Sequence, residues 1–211
     1  MIKLKRFTFN PLEVNTYLLY NNARECVIVD PACSNEEERT RLKAYIDQQE
    51  LTPVMLINTH CHYDHISGNA FVYESWGLAP MIHKEGLSIM HSATEQALFL
   101  GFEPTEIPNP IQFLQDNEIV KLGDEEIEIR YTPGHADGSI CLVLHKEKYL
   151  LSGDVLFAES VGRTDLPTGS MEVLQKTIRE KLLSLDDAFV VYPGHGPETT
   201  IGTEKIVNPY L

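Results

Sequence analysis

The stretch Thr59-His60-Cys61-His62-Tyr63-Asp64-His65 concentrates three histidines and one aspartate within seven residues. It directly follows residues 54–58, a compact apolar run of strand length. In an extended chain, alternate side chains point to the same side, so His60 and His62 face one way. Asp64 and His65 follow at once, so one short loop offers four nitrogen and oxygen ligands. This pattern predicts a metal site at the end of a strand.

Three later segments place a histidine or an aspartate at the same point, just after an apolar strand-like run. These runs lead into Thr132-Pro133-Gly134-His135, Ser152-Gly153-Asp154 and Pro193-Gly194-His195. A glycine before each ligand permits the tight backbone that turns a side chain inward. Imidazole and carboxylate ligands without thiolate suit zinc, iron or manganese. The predicted metal ligands are therefore His60, His62, Asp64, His65, His135, Asp154 and His195.

Each motif taken alone has an ordinary explanation, since a Pro-Gly-His turn can be an incidental surface loop. Recurrence at four strand ends favours a metal site instead. His83, His91 and His145 lack this context, and we expect them to be surface or capping residues. Cys61 is expected to point away from the neighbouring histidines, because side chains alternate along an extended chain.

Composition and charge limit the class of protein. The 211 residues, 43% hydrophobic and 23% charged, suit one domain spanning 1–211. The 17 basic and 31 acidic residues give a net charge of −14, which disfavours a nucleic-acid partner. No apolar run approaches the roughly 18 to 20 residues that span a bilayer, and the start MIKLKRFTFN lacks the apolar segment of a secretory signal. We therefore expect a cytoplasmic protein without a membrane partner.

The predicted elements run strands–helix–strand–helices and then strands–helix–strand, which indicates two β-rich halves covered by helices. A capping box formed by Ser34 and Glu37 is expected to begin the first helix. The segment 103–112, which contains three prolines, is predicted to be a loop. Helices are predicted at 35–49, 66–76, 84–100 and 171–183. Strands are predicted at 7–9, 16–20, 26–29, 54–58, 80–82, 118–121, 126–131, 140–144, 149–151 and 189–192.

The His-x-His-x-Asp-His pattern at 60–65, followed in order by His135, Asp154 and His195, resembles the metallo-β-lactamase superfamily over essentially the whole chain. That resemblance implies an α/β (α+β) fold, a four-layer αββα sandwich with two metals at one edge of the sheets. It further implies that Asp154 bridges the metals and that Asp30 orients a ligand, although Asp30 is equally well explained as a plain Asp-Pro turn. One metal would be held by His60, His62 and His135, and the other by Asp64, His65 and His195.

Two adjacent divalent cations can supply a hydroxide near neutral pH and stabilise an oxyanion, which favours ester, thioester or amide hydrolysis. We expect zinc, with iron or manganese as alternatives, and catalytic roles for Asp64 and Asp154. The segments 153–157 and 162–165 resemble the glyoxalase II branch, the hydroxyacylglutathione hydrolases. There, a basic residue nine positions after the bridging aspartate helps to hold the glutathione part of the substrate.

That basic residue is Arg163, which could bind a substrate carboxylate bidentately or simply pair with Asp165. Only 16 residues follow His195, so the resemblance implies the short bacterial form of the enzyme. In that form the segment 196–202 is expected simply to close the fold. The expected partner is a small-molecule thioester or a related acyl substrate.

The main rival is persulfide dioxygenase, a mononuclear iron enzyme of the same fold that uses the equivalents of His60, His135 and Asp154. It shares the run 162–165, so Arg163 does not separate the two activities. A β-lactamase is disfavoured by the absence of a secretory signal, and an RNA nuclease by the charge. A binding protein without activity would be expected to lose ligands, yet all seven are present.

Overall fold

Two six-stranded mixed sheets face each other in the computed structural model, which describes residues 1–211. The first sheet has its strands in sequence order, and its last four strands are parallel. Its strands are β1 (Lys3–Phe9), β2 (Val14–Tyr20), β3 (Glu25–Val29), β4 (Thr52–Ile57), β5 (Pro80–His83) and β6 (Gln112–Leu114).

The second sheet has the strand order β14-β13-β10-β9-β8-β7. Its strands are β7 (Ile119–Leu122), β8 (Glu125–Tyr131), β9 (Ile140–Leu144), β10 (Tyr149–Gly153), β13 (Val190–Pro193) and β14 (Thr199–Thr200), and a separate hairpin contains β11 (Leu156–Phe157) and β12 (Ser160–Val161). Strands β8, β10 and β13 run in the same direction, because β9 is antiparallel to both of its neighbours and β13 is parallel to β10. Their carboxyl ends therefore lie at one edge of the sheet.

Helices cover the outer face of each sheet. They are α1 (Glu36–Gln48), α2 (Tyr63–Ile66), α3 (Asn69–Trp76), α4 (Leu87–His91), α5 (Ala93–Leu100), α6 (Met171–Thr177) and α7 (Ile201–Val207), with a 3₁₀ turn at Lys84–Gly86 and a π-helical turn at Ile178–Leu182. None of these helices is both long enough and apolar enough to cross a membrane.

Burial of apolar side chains explains the layers. Fifteen buried residues, including Leu19, Ile129 and Leu142, fill the space between the two sheets. Leu42 of α1 packs on the outer face of the first sheet, and Leu174 of α6 packs on the second. Each fully buried side chain of this size contributes about 1.5–3 kcal/mol relative to exposure. The predicted four-layer αββα sandwich is confirmed.

Two predicted helices are interrupted, each for a local reason. The helix predicted at 66–76 is divided at Ser67 and Gly68, because the backbone N–H of Gly68 donates to the carbonyl of Pro31 at 2.7 Å and not to a carbonyl of the helix. The helix predicted at 84–100 begins as a 3₁₀ turn and divides again at Ser92. The Ser92 hydroxyl donates to the Ile89 carbonyl at 2.9 Å, in competition with the helix backbone.

Two other expectations were wrong in detail. The N-cap of α1 is Asn35, whose side chain accepts from the backbone N–H of Glu38 at 3.0 Å. The Glu38 carboxylate in turn accepts from the backbone N–H of Ser34 at 2.7 Å, so the cap lies one residue later than predicted. The segment after Pro197 does more than close the fold, because it forms β14 and the missed helix α7.

Candidate metal centre

The seven predicted ligands lie together at the edge where strands of both sheets end. His60 and His62 follow β4, while Asp64 and His65 lie in the short helix α2. The other three follow the carboxyl ends of β8, β10 and β13, and they are His135, Asp154 and His195. The backbone N–H of Ile140 donates to the Thr59 carbonyl at 2.7 Å, so the loop that contains His60 and His62 is hydrogen-bonded to the second sheet at this edge.

Three groups of side chains each bring their ligand atoms within 4.8 Å of one another. They are His60–His62–His135, His60–His65–Asp154 and Asp64–His65–His195. The first and third groups match the two ligand sets that the family resemblance implied, and we call them the three-histidine triad and the Asp64 triad.

Asp154 lies between the two triads. Its Oδ1 is 3.4 Å from His65 Nε2, and its Oδ2 is 3.5 Å from His195 Nε2 and 3.8 Å from His135 Nε2. One carboxylate therefore reaches ligands of both triads, as a bridging ligand must.

Two buried atoms in this cluster have no hydrogen-bond partner: Nε2 of His60 and Oδ1 of Asp154. A buried polar group without a partner costs about 1–3 kcal/mol, so such groups are rare unless they bind something else. His60 and Asp154 belong to one group of side chains whose ligand atoms lie within 4.8 Å of one another. The donor set therefore fits divalent cations such as zinc, iron or manganese.

Outer hydrogen bonds fix the rings of three histidines. Nδ1–H of His135 donates to the carbonyl oxygen of Arg163 at 2.8 Å, and that of His195 donates to the carbonyl oxygen of Leu12 at 2.8 Å. Nδ1–H of His65 donates to Asp30 at 3.1 Å. A proton on Nδ1 leaves the Nε2 lone pair free, which is how metal-binding histidines are usually oriented.

Asp30 is a buried carboxylate that organises the start of the ligand loop. Besides His65, it accepts from the backbone N–H of Thr59 at 2.7 Å and from the Thr59 hydroxyl at 2.5 Å. Its φ of 47° lies in the left-handed region, which aspartate tolerates better than most residues. Of the two interpretations of Asp30, the structure supports the one in which it orients a ligand.

Burial and neighbouring charges shift the pKa values of histidines in the two triads in opposite directions. Burial, reinforced by the charge of His65, holds the pKa of His60 well below its ordinary value, and burial with His135 lowers the pKa of His62 to about 4. Both rings are therefore neutral at pH 7 and can bind a cation.

The Asp64 triad behaves in the opposite way. Burial lowers the pKa of His195, but hydrogen bonds to Asp154 and Asp64 outweigh it and raise that pKa to about 9. Burial likewise opposes the charged form of His65, yet Asp154 and Asp64 raise its pKa well above the ordinary value. Without cations, these rings hold the protons that balance the two carboxylates.

Glycines allow the ligand loops to approach one another. Gly153 has a φ of +49°, and a Cβ there would lie 2.5 Å from the Thr59 hydroxyl. A Cβ on Gly194 would lie 2.2 Å from Oδ1 of Asp154. Close packing within the cluster thus explains why glycine is needed beside these ligands.

Arg163 lies outside the cluster, and its guanidinium pairs with Asp165. Its Nε and Nη2 donate to the two Asp165 oxygens at 2.7 and 2.8 Å, and both side chains are more than 60% exposed. The alternative in which Arg163 pairs with Asp165 is therefore the one observed. The backbone carbonyl of Arg163, which orients His135, was not anticipated, because main-chain contacts leave no signal in a residue pattern.

The other polar residues that the sequence singled out lie apart from the cluster. Cys61 points away as predicted, into an apolar group with Tyr63 and Met90. His91 and His145 are exposed, as expected. His83 is buried, and of the two expected roles, surface residue or capping residue, it has the second. Its ring stacks on Tyr131 at 4.0 Å, and its Nδ1 caps the following turn by accepting from the backbone N–H of Glu85.

Comparison with known proteins agrees with this geometry. The model of the metallo-beta-lactamase superfamily matches residues 9–195. Hydroxyacylglutathione hydrolase GloC of Haemophilus influenzae is 36% identical over 203 residues, which cover 93% of this chain and 92% of that protein. The crystal structure of TTHA1623 in a di-iron-bound form has a TM-score of 0.88 and 31% identity, covering 98% of this chain and 100% of that one.

A further similar structure is BLEG-1, a B3 metallo-beta-lactamase, with a TM-score of 0.87 and 33% identity over 99% of both chains. The matched region includes the loops that contain all seven clustered side chains. The chain therefore belongs to the metallo-beta-lactamase superfamily, with a histidine and aspartate metal-binding cluster at the edge of its two sheets.

Proposed function

We propose that this metallo-hydrolase is a thioesterase similar to hydroxyacylglutathione hydrolase and that it holds two divalent cations, with zinc favoured over iron or manganese. The observation that carries the proposal is the pair of complete triads with the Asp154 carboxylate between them. The three-histidine triad and the Asp64 triad would each hold one ion. The 36% identity to GloC over 93% of the chain supports the thioester substrate class, and the di-iron form of TTHA1623 supports two ions.

Two adjacent divalent cations, when bound, supply a nucleophilic hydroxide at neutral pH and polarise the substrate carbonyl. The chain's own residues supply the rest of the site. Asp154 fixes the spacing of the triads, and the Asp64 carboxylate, near His195 Nε2 at 3.5 Å, can accept a hydrogen bond that orients the attacking water. A thiolate leaving group, with a thiol pKa of about 8.5, needs little proton donation. Hydrolysis of a thioester therefore requires no further acid from the protein.

Arg163 remains a proposed substrate-binding residue. Three of its five guanidinium N–H groups are left free by the Asp165 pair, and a substrate carboxylate could bind there or displace Asp165. The proposed partner is a small thioester and not a nucleic acid, in keeping with the net charge of −14. The proposed location is cytoplasmic, and it is supported by four cysteines that are all free.

Two other activities are possible outcomes of the test. Persulfide dioxygenase chemistry requires one iron held by His60, His135 and Asp154, and the complete Asp64 triad favours the two-metal hydrolase over it. Cleavage of β-lactams is suggested by the similarity to BLEG-1.

The test combines metal analysis with substrate assays on the same purified protein. We expect two metal ions per chain and cleavage of hydroxyacylglutathione thioesters, with no oxygen uptake in the presence of a persulfide. Asp154→Ala should reduce turnover by more than the roughly 10- to 100-fold that outer contacts of a metal site cost. Asp47→Ala, at an exposed position of α1, is the matched control and should be unchanged. One iron per chain with oxygen uptake, or β-lactam cleavage without thioester cleavage, would contradict the proposal.

A further inference from the structure

The loop that carries His195 is held in place by the hairpin of β1 and β2, which belongs to the opposite sheet. His195 donates to the carbonyl of Leu12 at the hairpin tip, and the backbone of Val14 bridges to His195 itself. The Tyr17 hydroxyl donates to the carbonyl of Pro193 at 2.7 Å. The position of His195 therefore depends on contacts made by the first half of the chain.

Asn15 makes the most extensive of these contacts. Its backbone N–H donates to the carbonyl of Gly194 at 2.7 Å. Its side-chain amide donates to the carbonyls of Pro193 at 3.0 Å and of Gly196 at 2.9 Å, one on each side of His195. The Thr8 hydroxyl donates to Oδ1 of Asn15 at 3.2 Å, which fixes the orientation of the amide. With 2% of its surface exposed, Asn15 is shielded from water that could replace it.

These contacts act on one triad only. His195 is the sole member of the Asp64 triad that comes from the second half of the chain, so its loop must be brought across to Asp64 and His65. The three-histidine triad also receives one residue from the second half, His135, but that ring is oriented by the carbonyl of Arg163. None of the hydrogen bonds of Asn15 reaches the loop that contains His135.

We infer that Asn15 is a positioning residue for the Asp64 triad: by bracketing the His195 loop, its amide sets the affinity of that triad for a cation and leaves the three-histidine triad unaffected. The inference rests on the two-metal part of the proposed function and is independent of the substrate. Loss of an outer contact typically weakens a metal site by about 10- to 100-fold. Removal of both amide donors should therefore weaken one ion and not the other.

The experiment measures zinc bound per chain at buffered free zinc concentrations, starting from metal-free protein. Asn15→Ala removes the amide, and Asn15→Asp keeps its size but removes both donors. We expect the wild type to bind two ions, and both variants to bind one ion as tightly as the wild type and the second about 10- to 100-fold more weakly. Tyr17→Phe removes one hydrogen bond to the same loop, keeps the ring, and should weaken the same ion by a few-fold.

The control for a general loss of stability is Asn21→Ala. Asn21 is also a buried asparagine, at the opposite end of β2, and its amide donates to Glu25 and to the Leu122 carbonyl. This variant should still bind two ions with unchanged affinities. Two results would overturn the inference and leave the proposed function standing. One is two ions of unchanged affinity in Tyr17→Phe and both Asn15 variants, and the other is equal weakening of both ions. A wild type that binds one ion would overturn it together with the two-metal proposal.

Discussion

Replacement of Asp30 by asparagine tests how strongly the outer hydrogen bonds control the metal site. In the wild type, Oδ1 accepts from the backbone N–H of Thr59, and Oδ2 accepts from the Thr59 hydroxyl and from Nδ1–H of His65. In the Asp30→Asn variant, the amide oxygen could keep the first of these bonds. The new NH₂ group would then face two donors, the Thr59 hydroxyl and Nδ1–H of His65. The hydroxyl can rotate to accept a hydrogen bond, but a protonated Nδ1 cannot. His65 would have to move its proton to Nε2, the atom that faces the cluster.

The expected magnitude follows from the bond that is lost. A hydrogen bond to a charged group contributes about 1.5–3 kcal/mol, and outer contacts of metal ligands are worth about 10- to 100-fold in affinity, or about 1.4–2.7 kcal/mol. We therefore expect Asp30→Asn to weaken the ion at the Asp64 triad by about 10- to 100-fold. The triad of His60, His62 and His135 should change little.

The assay is a zinc titration against a competing chromophoric chelator. Asp116→Asn is the matched control, because Asp116 also accepts from a backbone N–H and from a cationic side chain but lies outside the cluster. Affinities within about threefold of the wild type in Asp30→Asn, well short of the effect of a lost outer contact, would refute the reasoning. So would a loss of affinity in Asp116→Asn as large as that in Asp30→Asn.

Three further predictions concern specificity, protons and the core. Asp165→Asn frees Arg163 and should therefore lower KM for acidic thioesters by about two- to five-fold, which is the value of an exposed ion pair. Arg163→Ala should raise that KM. Steady-state kinetics would measure both changes. Zinc uptake by metal-free protein at about pH 7.5 should release protons, because the pKa of His195 is about 9 without the ion. The His195 contribution to this release should disappear as the pH rises through that value, and calorimetry in buffers of different ionisation enthalpy would detect the decrease. Leu42→Ala should lower the free energy of unfolding by about 2–5 kcal/mol in a urea titration without changing the zinc content, because Leu42 is fully buried in an apolar cluster that contains none of the seven side chains.

The sequence predicts the seven clustered side chains because five of them come just after a recognisable apolar strand, while Asp64 and His65 follow in the same short segment as His60 and His62. Parallel strands bring their carboxyl ends to one edge. Residue type and position along the chain were therefore sufficient to predict that His135, Asp154 and His195 lie near the loop 59–65. The order of strands and helices predicted two β-rich halves covered by helices, and the family resemblance implied the four-layer αββα arrangement.

The contacts that orient these ligands were less predictable. His135 and His195 donate to the main-chain carbonyls of Arg163 and Leu12, and a carbonyl is present at every residue whatever its side chain. Asn15 gave no signal either, because its partners lie about 180 residues away along the chain. The break at Ser92 depends on a side-chain hydrogen bond that competes with helix geometry, which hydrophobic periodicity does not detect.

Whether the cluster holds two ions can be seen by anomalous diffraction from crystals of zinc-loaded protein, recorded on both sides of the zinc absorption edge. We expect two peaks, one enclosed by His60, His62 and His135 and the other by Asp64, His65 and His195, with the Asp154 carboxylate between them. A single peak, or peaks outside these two triads, would contradict the two-metal site.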